Sequence, residues 1–109
     1  MKPTRGDLVT IVTSGDYGKP RPALVIQDDI FDDLPSVTVL PLTSDLRAAP
    51  LIRVDVLPGS DTGLRSASQV MIDKVTTIRR DRIGHRIGHV DDATLGQAAR
   101  ALARFLGLA

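Results

Sequence analysis

The sequence predicts a mainly β protein, a small barrel or strongly twisted antiparallel sheet, with one amphipathic helix at its C-terminal end. Three observations lead there. Short β-branched runs recur between clusters of Gly, Pro and Asp through residues 8–78. One of them, Leu51-Ile52-Arg53-Val54-Asp55-Val56, alternates apolar and charged residues as a half-exposed antiparallel strand does. After residue 90 the period changes to a helical one, which places a helix against the sheet.

Taken in order, Leu8 to Thr13 and Leu24 to Gln27 read as strands, joined by the turn chemistry of Ser14-Gly15-Asp16-Tyr17-Gly18. Asp28 to Pro35 is a polar excursion, and Val37-Thr38-Val39-Leu40 resumes the strand pattern. In the alternating run, Ile52, Val54 and Val56 share one face, with Arg53 and Asp55 on the other. Pro58 to Gly63 is a turn, Ser68 to Ile72 is strand-like, and Val75 to Ile78 is a further strand. Asp91 is placed to cap a helix, with Asp92 complementing the dipole in its first turn. Leu95, Ala98, Ala99, Leu102, Phe105 and Leu106 then form one apolar face, opposite Gln97, Arg100 and Arg104, and Gly107 falls at the C-cap.

The 109 residues make a single domain, 1–109, long enough to bury roughly two-thirds of its unfolded surface. The apolar content of 42% argues against disorder. No cysteine is present, which excludes a disulfide scaffold, a zinc–thiolate site and a cysteine nucleophile. Residues 1–7 lack the apolar core of a signal peptide, and no apolar run is long enough to cross a bilayer. The expected location is the cytoplasm, with no membrane partner. The net charge of +1 hides an asymmetry: residues 65–109 carry eight Lys or Arg against four Asp, whereas residues 1–64 carry six against nine. That excess is a weak pointer to an anionic partner, and taken alone it favours a solvated basic face.

Gly18-Lys19-Pro20-Arg21-Pro22 stands at the mouth of the apolar run Ala23-Leu24-Val25-Ile26. Each proline fixes its own φ and pushes the preceding residue, Lys19 or Arg21, into an extended conformation. Arg21 is thus a stiffly mounted, permanently charged fork suited to phosphate or carboxylate. On residue chemistry alone a solvated turn arginine fits as well. His85 and His89 are four apart, but Gly84 and Gly88 oppose the helix that would aim both at one metal. They read as turn and edge-strand residues, with a general acid and base pair as the alternative.

Gly6-Asp7-Leu8-Val9, Arg21-Pro22-Ala23-Leu24-Val25-Ile26-Gln27 and Pro41-Leu42-Thr43-Ser44 resemble the MazF and PemK toxin family. The resemblance continues through Gly63-Leu64, Ser68 to Ile78 and Leu95 to Leu106, so it covers nearly the whole chain in order. It implies an SH3-like barrel with a C-terminal helix, a homodimer, and a toxin held inactive by a cognate antitoxin protein. It also implies a sequence-specific, metal-independent endoribonuclease that acts on single-stranded RNA without a cofactor.

Carried over to matched positions, the family's catalytic arginine falls on Arg21 and its catalytic threonine or serine on Thr43, with Ser44 beside it. Asp73 and Lys74 fall where the family places substrate contacts. The segment Thr13 to Pro20 is short for the family, with Tyr17 its one aromatic able to stack a base and Lys19 its extra cation. Without the resemblance, Thr43 would read as a turn-capping hydroxyl. Two other readings remain beside the ribonuclease: a DNA gyrase poison like the related CcdB proteins, and a non-catalytic SH3-like nucleic-acid-binding module.

Overall fold

The structure, a computed structural model, describes residues 2–12 and 19–109. Among these residues the chain runs through seven strands and then one helix: β1 (Asp7–Ile11), β2 (Arg21–Val25), β3 (Ser36–Thr43), β4 (Arg53–Val56), β5 (Ser68–Met71), β6 (Thr76–Arg79), β7 (Ile83–His89) and α1 (Asp92–Phe105). All pairings are antiparallel, in the order β4-β5-β3-β2-β1-β7, with β6 also paired to β3.

β3 organises the sheet. Val39 to Pro41 pair with β2, while the opposite edge pairs with β6 over Ser36–Val39 and then with β5 at Leu42 and Thr43. The strand therefore serves two partners in succession on one edge. Its near-continuous apolar run is needed because both of its faces are covered.

Alternation splits the apolar residues into two cores. Leu8, Leu24, Leu40, Leu42, Val70 and Ile72 form one, against which Leu95, Ala99 and Leu102 of α1 pack. Val9, Ile11, Ala23, Val25, Val37 and Val39 form the other, closed by Ile78 of β6 and Ile83 of β7. β6 and β7 lie on different branches of the sheet, so their meeting on this second cluster shows that the sheet is rolled into a small barrel.

The helix follows the sequence expectation through Leu102, whereas Phe105 and Leu106, expected on its apolar face, are exposed. The Asp91 carboxylate accepts from the Thr94 amide at 2.8 Å, and Gly107, at φ +75°, turns the chain just past the last helical turn. Among the described residues no helix is long and apolar enough to cross a membrane.

The strand boundaries moved, for identifiable reasons. β2 starts at Arg21, not Leu24, and contains Pro22 opposite Thr10 of β1. Its ladder to β3 begins only at Ala23, so the missing Pro22 N–H breaks no rung on that side. β3 runs through Pro41 to Thr43 rather than ending at Leu40. β4 begins at Arg53 because the amides of both Ile52 and Arg53 are taken by the Ala49 carbonyl in a turn. Gly84, His85, Gly88 and His89 lie on β7, the edge strand of the path. A Cβ on Gly88 would sit 2.3 Å from the Thr62 carbonyl, so the glycine lets the 59–63 turn press against this strand.

Candidate active site

Arg21 and Thr43 come from different strands, β2 and β3, which pair antiparallel. Leu24 faces Leu40 and Ala23 faces Pro41. Two residues beyond the last pair of this ladder, Arg21 opens β2 and Thr43 closes β3, and the two prolines stiffen the backbone around Arg21. The period of two also puts them on a common face, that of Ala23 and Val25 on β2 and of Val37 and Val39 on β3. Arg21 is exposed and Thr43 half-buried. A permanent cation and a hydroxyl thus sit at the ends of two neighbouring strands, on the face that carries the second core.

Thr43 also faces Gln69 across the β3–β5 pair. Its Oγ1 accepts from the Asp45 amide at 3.1 Å. A hydroxyl has one proton and two lone pairs, so this bond occupies an acceptor position and leaves the proton to donate elsewhere.

Ser44 follows directly and is exposed, and exposed Lys19 precedes Arg21 by two residues. Asp73 and Lys74 occupy the 3₁₀ turn Ile72–Lys74 between β5 and β6, beside the middle of β3. They lie back along the strand from Thr43 by two or three residues, roughly 7–10 Å of rise. Tyr17 lies outside the described residues.

Sequence reasoning missed the polar layer beneath this site. Gln69, only 7% exposed, donates to the Arg47 carbonyl at 3.1 Å and to Asp55 Oδ1 at 2.9 Å. Its Oε1 accepts from the Arg47 amide and from Arg53 Nη1, both at 3.0 Å. The available signal was the lone amide opening the apolar run Gln69-Val70-Met71-Ile72, in the strand that follows the outward pair Arg53 and Asp55.

The histidines stand elsewhere. His85 Nδ1 lies 3.5 Å from Thr10 Oγ1, and Arg86 Nη2 lies 3.2 Å from His89 Nδ1. Arg86 Nε also donates to Asp7 Oδ1 at 2.9 Å. Burial pushes the Asp7 carboxyl up, but the Thr4 amide, the Arg86 guanidinium and the Thr4 hydroxyl together outweigh it and hold Asp7 below the usual carboxylate range. Among the described residues there is no group of three His, Asp or Glu arranged to hold a metal ion.

A small helix-backed β-barrel with an arginine opening β2 and a threonine closing the neighbouring β3 defines a class of compact domains equipped to hold an anionic group. The model of the PemK-like, MazF-like toxins of type II toxin-antitoxin systems matches residues 4–106. A probable endoribonuclease MazF of Mycolicibacterium smegmatis is 48% identical over 106 residues, spanning 96% of this chain and 97% of that protein. Endoribonuclease EndoA of Bacillus subtilis is 28% identical, spanning 95% of this chain and 94% of its own length. Among solved structures, a mycobacterial endoribonuclease in complex with its cognate antitoxin superposes with a TM-score of 0.81 at 26% identity, over 98% of this chain and 97% of that one. The chain belongs to the PemK-like, MazF-like toxin family.

Proposed function

We propose that this chain is the toxin of a type II toxin–antitoxin system and a sequence-specific endoribonuclease acting on single-stranded RNA. The observation that carries the proposal is that β2, which opens on Arg21, pairs antiparallel with β3, which closes on Thr43, so that the two residues end neighbouring strands. Relatives named as endoribonucleases that match nearly end to end support it.

The chemistry follows from the groups present. The 2′-oxygen of a ribose bonds to its own 3′-phosphorus while the bond from phosphorus to the 5′-oxygen breaks. One proton leaves the 2′-hydroxyl and one arrives at the 5′-oxygen, giving a 2′,3′-cyclic phosphate and a 5′-hydroxyl. Negative charge builds on the non-bridging oxygens. Arg21 stabilises it with two charge-assisted hydrogen bonds, and Thr43 donates a third or positions the phosphate. A guanidinium stays protonated, so Arg21 acts as an electrostatic catalyst and not as the base. This route needs no metal or cofactor.

Lys19, Ser44, Asp73, Lys74 and Tyr17 are the proposed substrate contacts. The working form is a cytoplasmic homodimer, inhibited by an antitoxin whose acidic side chains reach Arg21 and Lys19. The complex of the mycobacterial relative with its antitoxin supports that partner class.

The test is to incubate the purified chain with a long RNA in EDTA and map the ends. Discrete fragments bearing cyclic phosphate are expected. Intact RNA together with lost gyrase supercoiling would overturn the ribonuclease reading in favour of a gyrase poison.

A further inference from the structure

We propose that Gln69 is a positioning residue for Thr43, acting with Arg53 to fix the loop that leaves β3 so that the Thr43 hydroxyl points its proton at substrate. The proposal rests on the reading of Thr43 as a catalytic group.

The Gln69 side chain is fully engaged. Its Nε2 donates twice, to the Arg47 carbonyl and Asp55 Oδ1, and its Oε1 accepts twice, from the Arg47 amide and Arg53 Nη1. Four bonds saturate a primary amide. They also fix its orientation, because a flipped amide would set NH₂ against two donors and the oxygen against two acceptors. Both main-chain groups of Arg47 are therefore held by one side chain, as a neighbouring strand would hold them.

Arg53 extends the hold one step nearer to Thr43. The same Nη1 that donates to Gln69 also donates to the Asp45 carbonyl at 2.9 Å. Asp45 in turn gives its amide to Thr43 Oγ1 at 3.1 Å. From the buried amide the path runs Gln69, Arg53, Asp45, Thr43, and Gln69 faces Thr43 in the ladder where the path closes. Residues 44–49 belong to no strand or helix, so little else in the described backbone fixes the Asp45 amide. The Arg47–Asp45 ion pair adds little, since both side chains are about two-thirds exposed.

An apolar residue at 69 would fill the same space in β5, yet it would release Arg47 and leave Asp55 without its amide partner. Loss of the lock lets the Asp45 amide move off Oγ1. The Thr43 proton is then free to turn to any local acceptor. RNA would still bind, because its phosphates are held by cations and not by this amide. The predicted signature is therefore a slower chemical step at nearly unchanged affinity.

The experiment compares wild type with Gln69→Leu, Arg53→Met and Thr43→Ala, on a short RNA copied from the site that wild type cleaves best in a long transcript. Single-turnover cleavage is measured at saturating protein, affinity by fluorescence anisotropy, and folding by a thermal melt. Gln69→Leu is expected to cleave at least tenfold more slowly with affinity within twofold of wild type. If that variant does not fold, Arg53→Met decides, because it keeps both Arg47 bonds of Gln69. A folded variant that cleaves within threefold of wild type, or that loses affinity in step with rate, overturns the proposal. If Thr43→Ala is slow while these variants are fast, only the positioning role falls. If Thr43→Ala itself cleaves like wild type, the catalytic reading falls with it.

Discussion

Asp7 and Arg86 join the first strand to the last through a 2.9 Å hydrogen bond between residues 79 apart in sequence. Asp7 is 7% exposed and also accepts the amide of Thr4 at 2.9 Å. Removing its charge leaves the guanidinium facing a weaker acceptor. Asp7→Asn is expected to lose about 1–3 kcal/mol of stability at neutral pH. The folded-state carboxyl is held below the usual carboxylate range, so its contribution is present above that range and is lost as pH falls through the folded-state value. Urea denaturation at pH 7 and pH 3 should therefore show the gap between wild type and Asp7→Asn narrowing in acid. An equal gap at both values would contradict the assignment.

Gly63 faces β7 at a point where no side chain fits. It adopts φ +72°, and a Cβ there would lie 1.9 Å from the Ile87 carbonyl oxygen. Gly63→Ala combines backbone strain with a steric clash, for an expected loss of about 2 kcal/mol or more. Gly59, also at positive φ but with open space around it, is the control. Thermal melts should rank Gly63→Ala well below Gly59→Ala.

Leu24 is fully buried at the centre of the helix-side core, and its neighbours Ala23 and Val25 belong to the second core. Leu24→Ala should cost about 2–5 kcal/mol, since strands covered on both faces cannot collapse into the space left. Chemical denaturation measures this directly. A cost below about 1 kcal/mol would mean that the two-core packing is wrong.

Lys19 and Lys74 are exposed cations on either side of β3, and their proposed role is to contact RNA phosphates. Each alanine substitution should weaken RNA binding more than it slows the bound complex. For single-stranded RNA, each lost phosphate contact should also reduce the slope of log affinity against log salt by about 0.7. An unchanged slope would remove that lysine from the substrate surface.

The helix, its Asp91 cap and the succession of strands as far as Ile78 were legible because each is written in local periodicity. Strand ends were less so. Pro22 and Pro41 look like breakers in a linear reading, yet each is accommodated in a strand, Pro22 where the β2–β3 ladder has not begun and Pro41 opposite Ala23. Arg21 and Thr43 stood out through the family pattern, while their placement on neighbouring strands depends on the β2–β3 pairing. Gln69 was illegible for a different reason. Its four partners come from the 45–47 loop and from β4, and nothing in the local sequence announces that one amide will satisfy them. Asp7 and Arg86, at opposite ends of the chain, are invisible to any window-based reading.

The central claim is that Arg21 stabilises the charge of a scissile phosphate held beside Thr43. The most direct measurement is the single-turnover cleavage rate of Arg21→Ala against wild type in EDTA, at protein concentrations that saturate binding. Loss of such a preorganised charge-stabilising group should slow cleavage by roughly 10²-fold or more while the variant stays folded. Cleavage by Arg21→Ala at the wild-type rate, vanishing instead in His85→Ala, would contradict the account and move the chemistry to the edge strand β7.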